Sequence, residues 1–194
     1  ASVGGGAPVL ETVAAARGYG AIREVAGILN GTVNYILTRL AAGDDYQAAL
    51  AAAQAAGFAE EDPSEDVSGA DAAAKLRLIA AEAFDAAPEL LPVATEPLDP
   101  VAAAEIAGSG ERWVQVSRVV RAGDGSLDAS VRLLPRRCVP DLPEVDHEWN
   151  CALVTLADGT KLSCRGPGAG GAPTAAALLA DLNRIRDNAR LRAC

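Results

Sequence analysis

Histidine is almost missing from this chain. His147 is the only one among 194 residues, which argues against a histidine-based triad or a metal site built from several imidazoles. His147 itself reads as a surface or packing residue. Cys138, Cys151, Cys164 and Cys194 form no C-x-x-C pair, so no cysteine metal site is expected. Their even number permits disulfides, while a cytoplasmic location would favour free thiols. No apolar run reaches the length of a membrane-spanning helix, because charges interrupt the alanine-rich stretches. The opening Ala1-Ser2-Val3-Gly4-Gly5-Gly6 has neither the basic segment nor the apolar core of a secretory leader. Positive charge is also scarce. The formal net charge is −9 and the pI is about 4.6, which disfavours nucleic acid or an anionic membrane as partner. Aromatic residues make up only 4%, and abundant alanine favours helices packed through small side chains. What remains is an ordinary globular composition, 50% hydrophobic and 22% charged, long enough for one substantial domain.

Of the 17 basic residues only Lys75 and Lys161 are lysines. Arginine stays charged and cannot exchange a proton near neutral pH, whereas lysine can when its surroundings allow. Lys75 ends the stretch Glu60-Glu61-Asp62-Pro63-Ser64-Glu65-Asp66-Val67-Ser68-Gly69-Ala70-Asp71-Ala72-Ala73-Ala74-Lys75. A helix over 67–83 puts Asp71 and Lys75 four residues apart on one face, with Glu60 and Asp66 arriving from the preceding loop. One ammonium among several carboxylates is a candidate acid–base centre. The same spacing also describes a solvated surface ion pair, and spacing alone does not separate the two.

The pattern predicts a helix over 8–18, a strand over 22–29, and a helix from Thr32, as its cap, to about Ala42. A helix capped by Asp44 or Asp45 then runs to Gly57. Residues 86–100 read as a surface connection, and Asp99 caps a short helix over 101–108. Strands over 113–122 and 127–134 flank an Asp124-Gly125 turn, and strands over 149–156 and 161–165 flank Asp158-Gly159. A terminal helix over 172–192 carries an apolar stripe of Ala176, Leu179, Leu182 and Ile185. Helices around one early strand, followed by hairpin-linked strands, predict an α+β fold with an open mixed β-sheet covered by helices.

The run Gly27-Ile28-Leu29-Asn30-Gly31-Thr32-Val33-Asn34-Tyr35-Ile36-Leu37 resembles the signature of homoserine dehydrogenases. The resemblance continues in family order through Ala53-Gln54-Ala55-Ala56-Gly57-Phe58-Ala59-Glu60, Gly69-Ala70-Asp71-Ala72-Ala73-Ala74-Lys75-Leu76 and Gly166-Pro167-Gly168-Ala169-Gly170-Gly171-Ala172-Pro173-Thr174-Ala175. Val3-Gly4-Gly5-Gly6-Ala7-Pro8 is similar to the family's segment just after the cofactor domain. Only about 86–150 is weakly matched. The resemblance implies NAD(P)-dependent interconversion of L-homoserine and L-aspartate 4-semialdehyde, on the route to threonine, methionine and isoleucine. It implies catalytic roles for Lys75 and Asp71, and substrate contacts for Glu60, Asp66, Gly31 and Thr32. It also implies cofactor contacts at Gly168 and Gly170, a monovalent cation on the carbonyls of Val3 and Gly5, NADP or NAD as cofactor, and a homodimer.

Gly166-x-Gly168-x-x-Gly171 formally matches a dinucleotide fingerprint. It lacks the second parallel strand and the acidic residue that a Rossmann unit requires, so close strand-to-helix packing explains these glycines equally well. The resemblance implies a Rossmann domain ahead of the segment matched by residues 1–8, and these 194 residues are expected to hold none of it. Residues 1–165 are therefore expected to form the substrate-binding, catalytic and dimerisation domain. Residues 166–194 are expected to return to the nucleotide-binding domain, and the chain alone is expected to be inactive. The alternative is a non-enzymatic dimerising module that binds an amino acid.

Overall fold

The computed structural model describes residues 3–168 and 171–192. Among the described residues seven helices and six strands follow one another in the order α1 (Val9–Tyr19), β1 (Ile22–Ile28), α2 (Gly31–Ala41), α3 (Tyr46–Ala55), α4 (Ser64–Val67), α5 (Ala70–Phe84), β2 (Ala94–Thr95), α6 (Pro100–Gly108), β3 (Trp113–Arg121), β4 (Leu127–Pro135), β5 (Trp149–Leu156), β6 (Lys161–Pro167) and α7 (Gly171–Arg192). They form one open sheet ordered β2-β4-β3-β1-β5-β6. All pairs are antiparallel except β2 with β4, which makes the sheet mixed as expected.

The early strand β1 lies at the centre, between β3 and β5. Its period-two alternation turns Val25 toward the helices, and turns Ala26 and Ile28 to the opposite face. Val25, Val119, Val131, Ala152 and Val154 pack beneath α1 and α5 with Val13, Leu76 and Ile79. A second core joins Val33, Ile36 and Leu37 of α2 to Ala49 and Ala53 of α3, Ala103 and Ile106 of α6, and Leu133 of β4. Alanines at the contact points let these helices approach closely.

Local chemistry sets the boundaries. Asp45 caps α3 by accepting from Ala48 N at 2.8 Å, and Asp99 caps α6 by accepting from Val101 N and Ala102 N. In the two hairpins Asp124 accepts from Ser126 N and Asp158 from Thr160 N, beside left-handed Gly125 and Gly159. The cap of α2 differs from expectation. Asn30, not Thr32, accepts from Val33 N at 2.8 Å, because Thr32 already lies inside the first turn and donates to the Phe58 carbonyl at 2.6 Å. The connection over 86–100 also holds more order than its proline content suggests, including β2 and a 3₁₀ turn at Pro88–Leu90.

Candidate active site

The C-terminal end of β1 runs straight into α2, so Leu29 and Asn30 sit just past the end of the central strand. Asn30 is 2% exposed, and its amide is used fully. Oδ1 caps α2, while Nδ2 donates to Asp66 Oδ1 at 2.8 Å and to Asp71 Oδ2 at 3.0 Å. Asp71 stands in the first turn of α5, where the helix dipole favours a carboxylate. Gly69 enters that helix at φ +82°, the left-handed region that glycine adopts without strain. One turn later Lys75 Nζ donates to the same Asp71 Oδ2 at 2.7 Å and to the carbonyl of Leu29 at 3.1 Å.

Lys75, Asp71 and Asp66 are therefore brought together as the sequence predicted. The Lys75 and Asp71 side chains are 23% and 31% exposed, so a small molecule can reach them. Two carboxylates and one ammonium leave the cluster one negative charge in excess, which favours a cationic group beside it. Glu60 lies on the same loop but is exposed; its carbonyl accepts from Gln54, and its carboxylate is not among the bonded groups of the cluster. Asn30 joins the cluster without having been singled out as a site residue. Its signal was present in an Asn placed between a strand and a Gly-Thr helix start.

Gly31 and Gly168 meet at one backbone oxygen. Gly168 N donates to the Glu148 carbonyl at 2.9 Å, and a Cβ on Gly31 would stand 2.8 Å from that same oxygen. Asn34 Nδ2 holds this segment by donating to the His147 carbonyl at 2.9 Å. His147 is exposed and packs on Tyr35 with ring centroids 5.8 Å apart, a packing role as expected. A Cβ on Gly5 would stand 2.4 Å from the Gly168 carbonyl, and Val3 is buried in the core. Gly170 lies outside the described residues. Gly166 belongs to β6, an antiparallel edge strand, so among the described residues no parallel β-α-β unit surrounds the glycine pattern.

Cys138, Cys151 and Cys164 are free thiols, and Cys194 lies outside the described residues. Burial pushes the Cys151 thiol up to about 11 and raises Cys164 as well; neither is a nucleophile at neutral pH. Among the described residues no group of three His, Cys, Asp or Glu side chains is placed to hold a metal ion, and no helix is long and apolar enough to cross a membrane.

The homoserine dehydrogenase family model matches residues 8–182. The chain is 37% identical over 193 residues to the homoserine dehydrogenase of Synechocystis sp., covering 95% of this chain and 44% of that protein. It is 34% identical to the NAD(+)-dependent homoserine dehydrogenase of Pseudomonas canavaninivorans, covering 97% of this chain and 54% of the relative. The crystal structure of a homoserine dehydrogenase from Thiobacillus denitrificans superposes with a TM-score of 0.77 at 32% identity, covering 93% of this chain and 42% of the other. The chain thus spans about half the length of the relatives it matches.

Proposed function

The chain belongs to the homoserine dehydrogenase family, and we propose that it is the substrate-binding and catalytic half of an enzyme that interconverts L-homoserine and L-aspartate 4-semialdehyde. The observation that carries this reading is the pair of hydrogen bonds that Lys75 Nζ donates, one to Asp71 Oδ2 and one to the Leu29 carbonyl. These two acceptors hold the ammonium at the mouth of the site and leave its third proton for a ligand.

In the proposed reaction Lys75 faces the oxygen that alternates between carbonyl and alcohol, donating a proton as alkoxide character develops and stabilising its charge. Asp71 holds Lys75 in place. Asp66 takes the substrate's ammonium group, in keeping with the excess negative charge of the cluster, and Glu60, exposed on the same loop outside the bonded cluster, offers a second carboxylate to it. Gly31 and Thr32, at the N-terminus of α2, face the substrate with backbone N–H groups that the helix leaves free.

NAD or NADP would accept or return the hydride. The residues present fit one side of such a cofactor. The first turn of α7 has no acidic side chain, and a Cβ on Gly171 would meet nothing within 4 Å; both suit a helix N-terminus facing an anionic ligand. Leu178, Leu179, Leu182 and Ile185 of α7 are all more than half exposed. Residues 166–194 accordingly return to pack on a nucleotide-binding domain, while 1–165 form the catalytic domain. The relative named as NAD(+)-dependent supports NAD for this chain; NADP is the other arm of the assay.

Two further features complete the reading. Gly4 and Gly5 both have positive φ, and Gly5 lies against the Pro167 and Gly168 carbonyls. Backbone oxygens gathered in this way suit a monovalent cation held by Val3 and Gly5. A homodimer forms across the sheet face turned away from the helices, where Arg118 and Arg132 stand among Glu24 and Asp128. That alternation of charge can complement itself across a twofold axis. The free thiols agree with a cytoplasmic location.

Homoserine-dependent reduction of NAD and NADP by the full-length protein tests the assignment. Turnover that disappears in Lys75→Ala supports it. Homoserine binding by calorimetry without turnover would instead support the amino-acid-binding module.

A further inference from the structure

Below the cluster of Asn30, Asp66, Asp71 and Lys75 the sheet is polar where a core strand is ordinarily apolar. The alternation of β3 turns Gln115, Ser117 and Val119 toward the helices. Gln115 and Ser117 are 2% and 1% exposed. Gln115 Oε1, Gln115 Nε2 and Ser117 Oγ find no hydrogen-bond partner among the described residues.

Strand register fixes where they lie. Ser117 pairs with Gly27 of β1 and with Val131 of β4, and Gln115 pairs with Leu133. Val131 belongs to the core under α5, and Leu133 to the core under α2. A Cβ on Gly69, the residue before α5, would stand 3.6 Å from Val131 Cγ1. The two polar side chains therefore line the seam between the α2 and α5 cores. The hydrogen bonds of the cluster cross that same seam: Asn30 caps α2 and donates to Asp71 of α5, and Lys75 of α5 donates to Leu29.

Buried polar atoms are costly when dry, and polar interior sites of this kind hold ordered water. Residues two apart on one strand face are separated by about 6.7 Å, a gap that a bridging water spans. An amide and a hydroxyl can each donate and accept at once, so together they fix the orientation of what they hold.

Resting on the catalytic reading above, we propose that Gln115 and Ser117 are positioning residues that hold internal water beneath the Asn30–Asp66–Asp71 network and so set the placement of the Asp71–Lys75 pair. Neither side chain touches the substrate.

Two measurements test this. A crystal structure of the full-length protein that resolves ordered solvent is expected to show water bonded to both Gln115 and Ser117. In steady-state assays, Gln115→Leu and Ser117→Ala are expected to lower kcat roughly tenfold while KM for homoserine stays within about twofold. Ser117→Thr keeps the hydroxyl and is expected to return most of kcat. A pair bonded to each other or to protein atoms with no water overturns the proposal. So does an unchanged kcat, or an equal loss in Ser117→Thr and Ser117→Ala, which would mark a packing role. If Gln115→Leu does not fold, the two Ser117 variants carry the kinetic comparison. A wild-type protein with no homoserine-dependent activity would defeat the catalytic reading instead, and the ordered solvent would then decide alone.

Discussion

Lys75 Nζ donates to the backbone carbonyl of Leu29 at 3.1 Å, which ties the helix bearing the ammonium to the end of the central strand. A surface ion pair needs no such anchor. The Asp71–Lys75 spacing alone allows a solvated salt bridge; the additional backbone acceptor fixes the nitrogen in space, which a group that must meet a reacting oxygen requires.

Lys75→Ala in the full-length protein is therefore expected to reduce kcat by roughly 10²–10⁴-fold. The pair it removes is partly exposed, so the stability change is expected to stay within about 1 kcal/mol. Steady-state kinetics and urea unfolding on one preparation check both halves. Losses of activity and stability in proportion would reduce Lys75 to a structural role.

Asn30 serves two purposes that substitution can separate. Asn30→Ser keeps a capping oxygen for α2 and loses the amide donor to Asp66 and Asp71. Asn30→Ala loses both. The alanine variant is expected to be less stable than the serine variant by about 1 kcal/mol, the usual worth of a cap. The two are expected to lose activity to a similar degree, because the bridge to the carboxylates is gone in each. If Asn30→Ser retained full turnover, the bridge would not matter to the chemistry.

The sequence made most of this legible because turns, caps and alternation are local. Asp99, Asp124 and Asp158 each announce a boundary from their own position, Asp44 and Asp45 narrow another to two neighbours, and the early strand and both hairpins follow from period two. The cap of α2 lies at Asn30, two residues before Thr32; both residue types suit that role, and only the bond from Thr32 to the Phe58 carbonyl, 26 residues away, decides between them. The two-residue β2 exists only through pairing with β4, which no local pattern encodes. At the site, Asp71 with Lys75 was readable from helical spacing. Asn30 as their shared partner depends on a strand and a helix meeting, and Gln115 and Ser117 are hidden because two polar residues in a strand ordinarily face water.

Cys151 gives a pH dependence of definite sign. Its folded-state thiol is held near 11, against an ordinary 9.0, because burial penalises the thiolate. The unfolded chain ionises first, so the stabilising preference is complete below about pH 9 and is lost as pH rises toward 11. The loss reaches at most about 3 kcal/mol. Urea unfolding at several alkaline pH values should show wild type declining more steeply than Cys151→Val. At pH 8 a thiol reagent is expected to modify exposed Cys138 and to leave Cys151 untouched until the protein unfolds.

The glycine pattern at 166–171 can be divided by single alanines. A Cβ on Gly166 would stand 2.7 Å from the Gly6 carbonyl and 2.8 Å from Ala7 Cα. These are backbone atoms with little room to move, so Gly166→Ala is expected to cost roughly 1–3 kcal/mol. At Gly171 the space is open and the residue is helical, so Gly171→Ala is expected to leave stability unchanged or raise it by up to about 1 kcal/mol. If the N-terminus of α7 faces the cofactor, the same substitution raises KM for NAD or NADP without lowering the melting temperature. Thermal melts combined with cofactor KM values on both variants separate packing from binding. A Gly171→Ala protein with wild-type KM for both cofactors would leave these glycines a packing role alone.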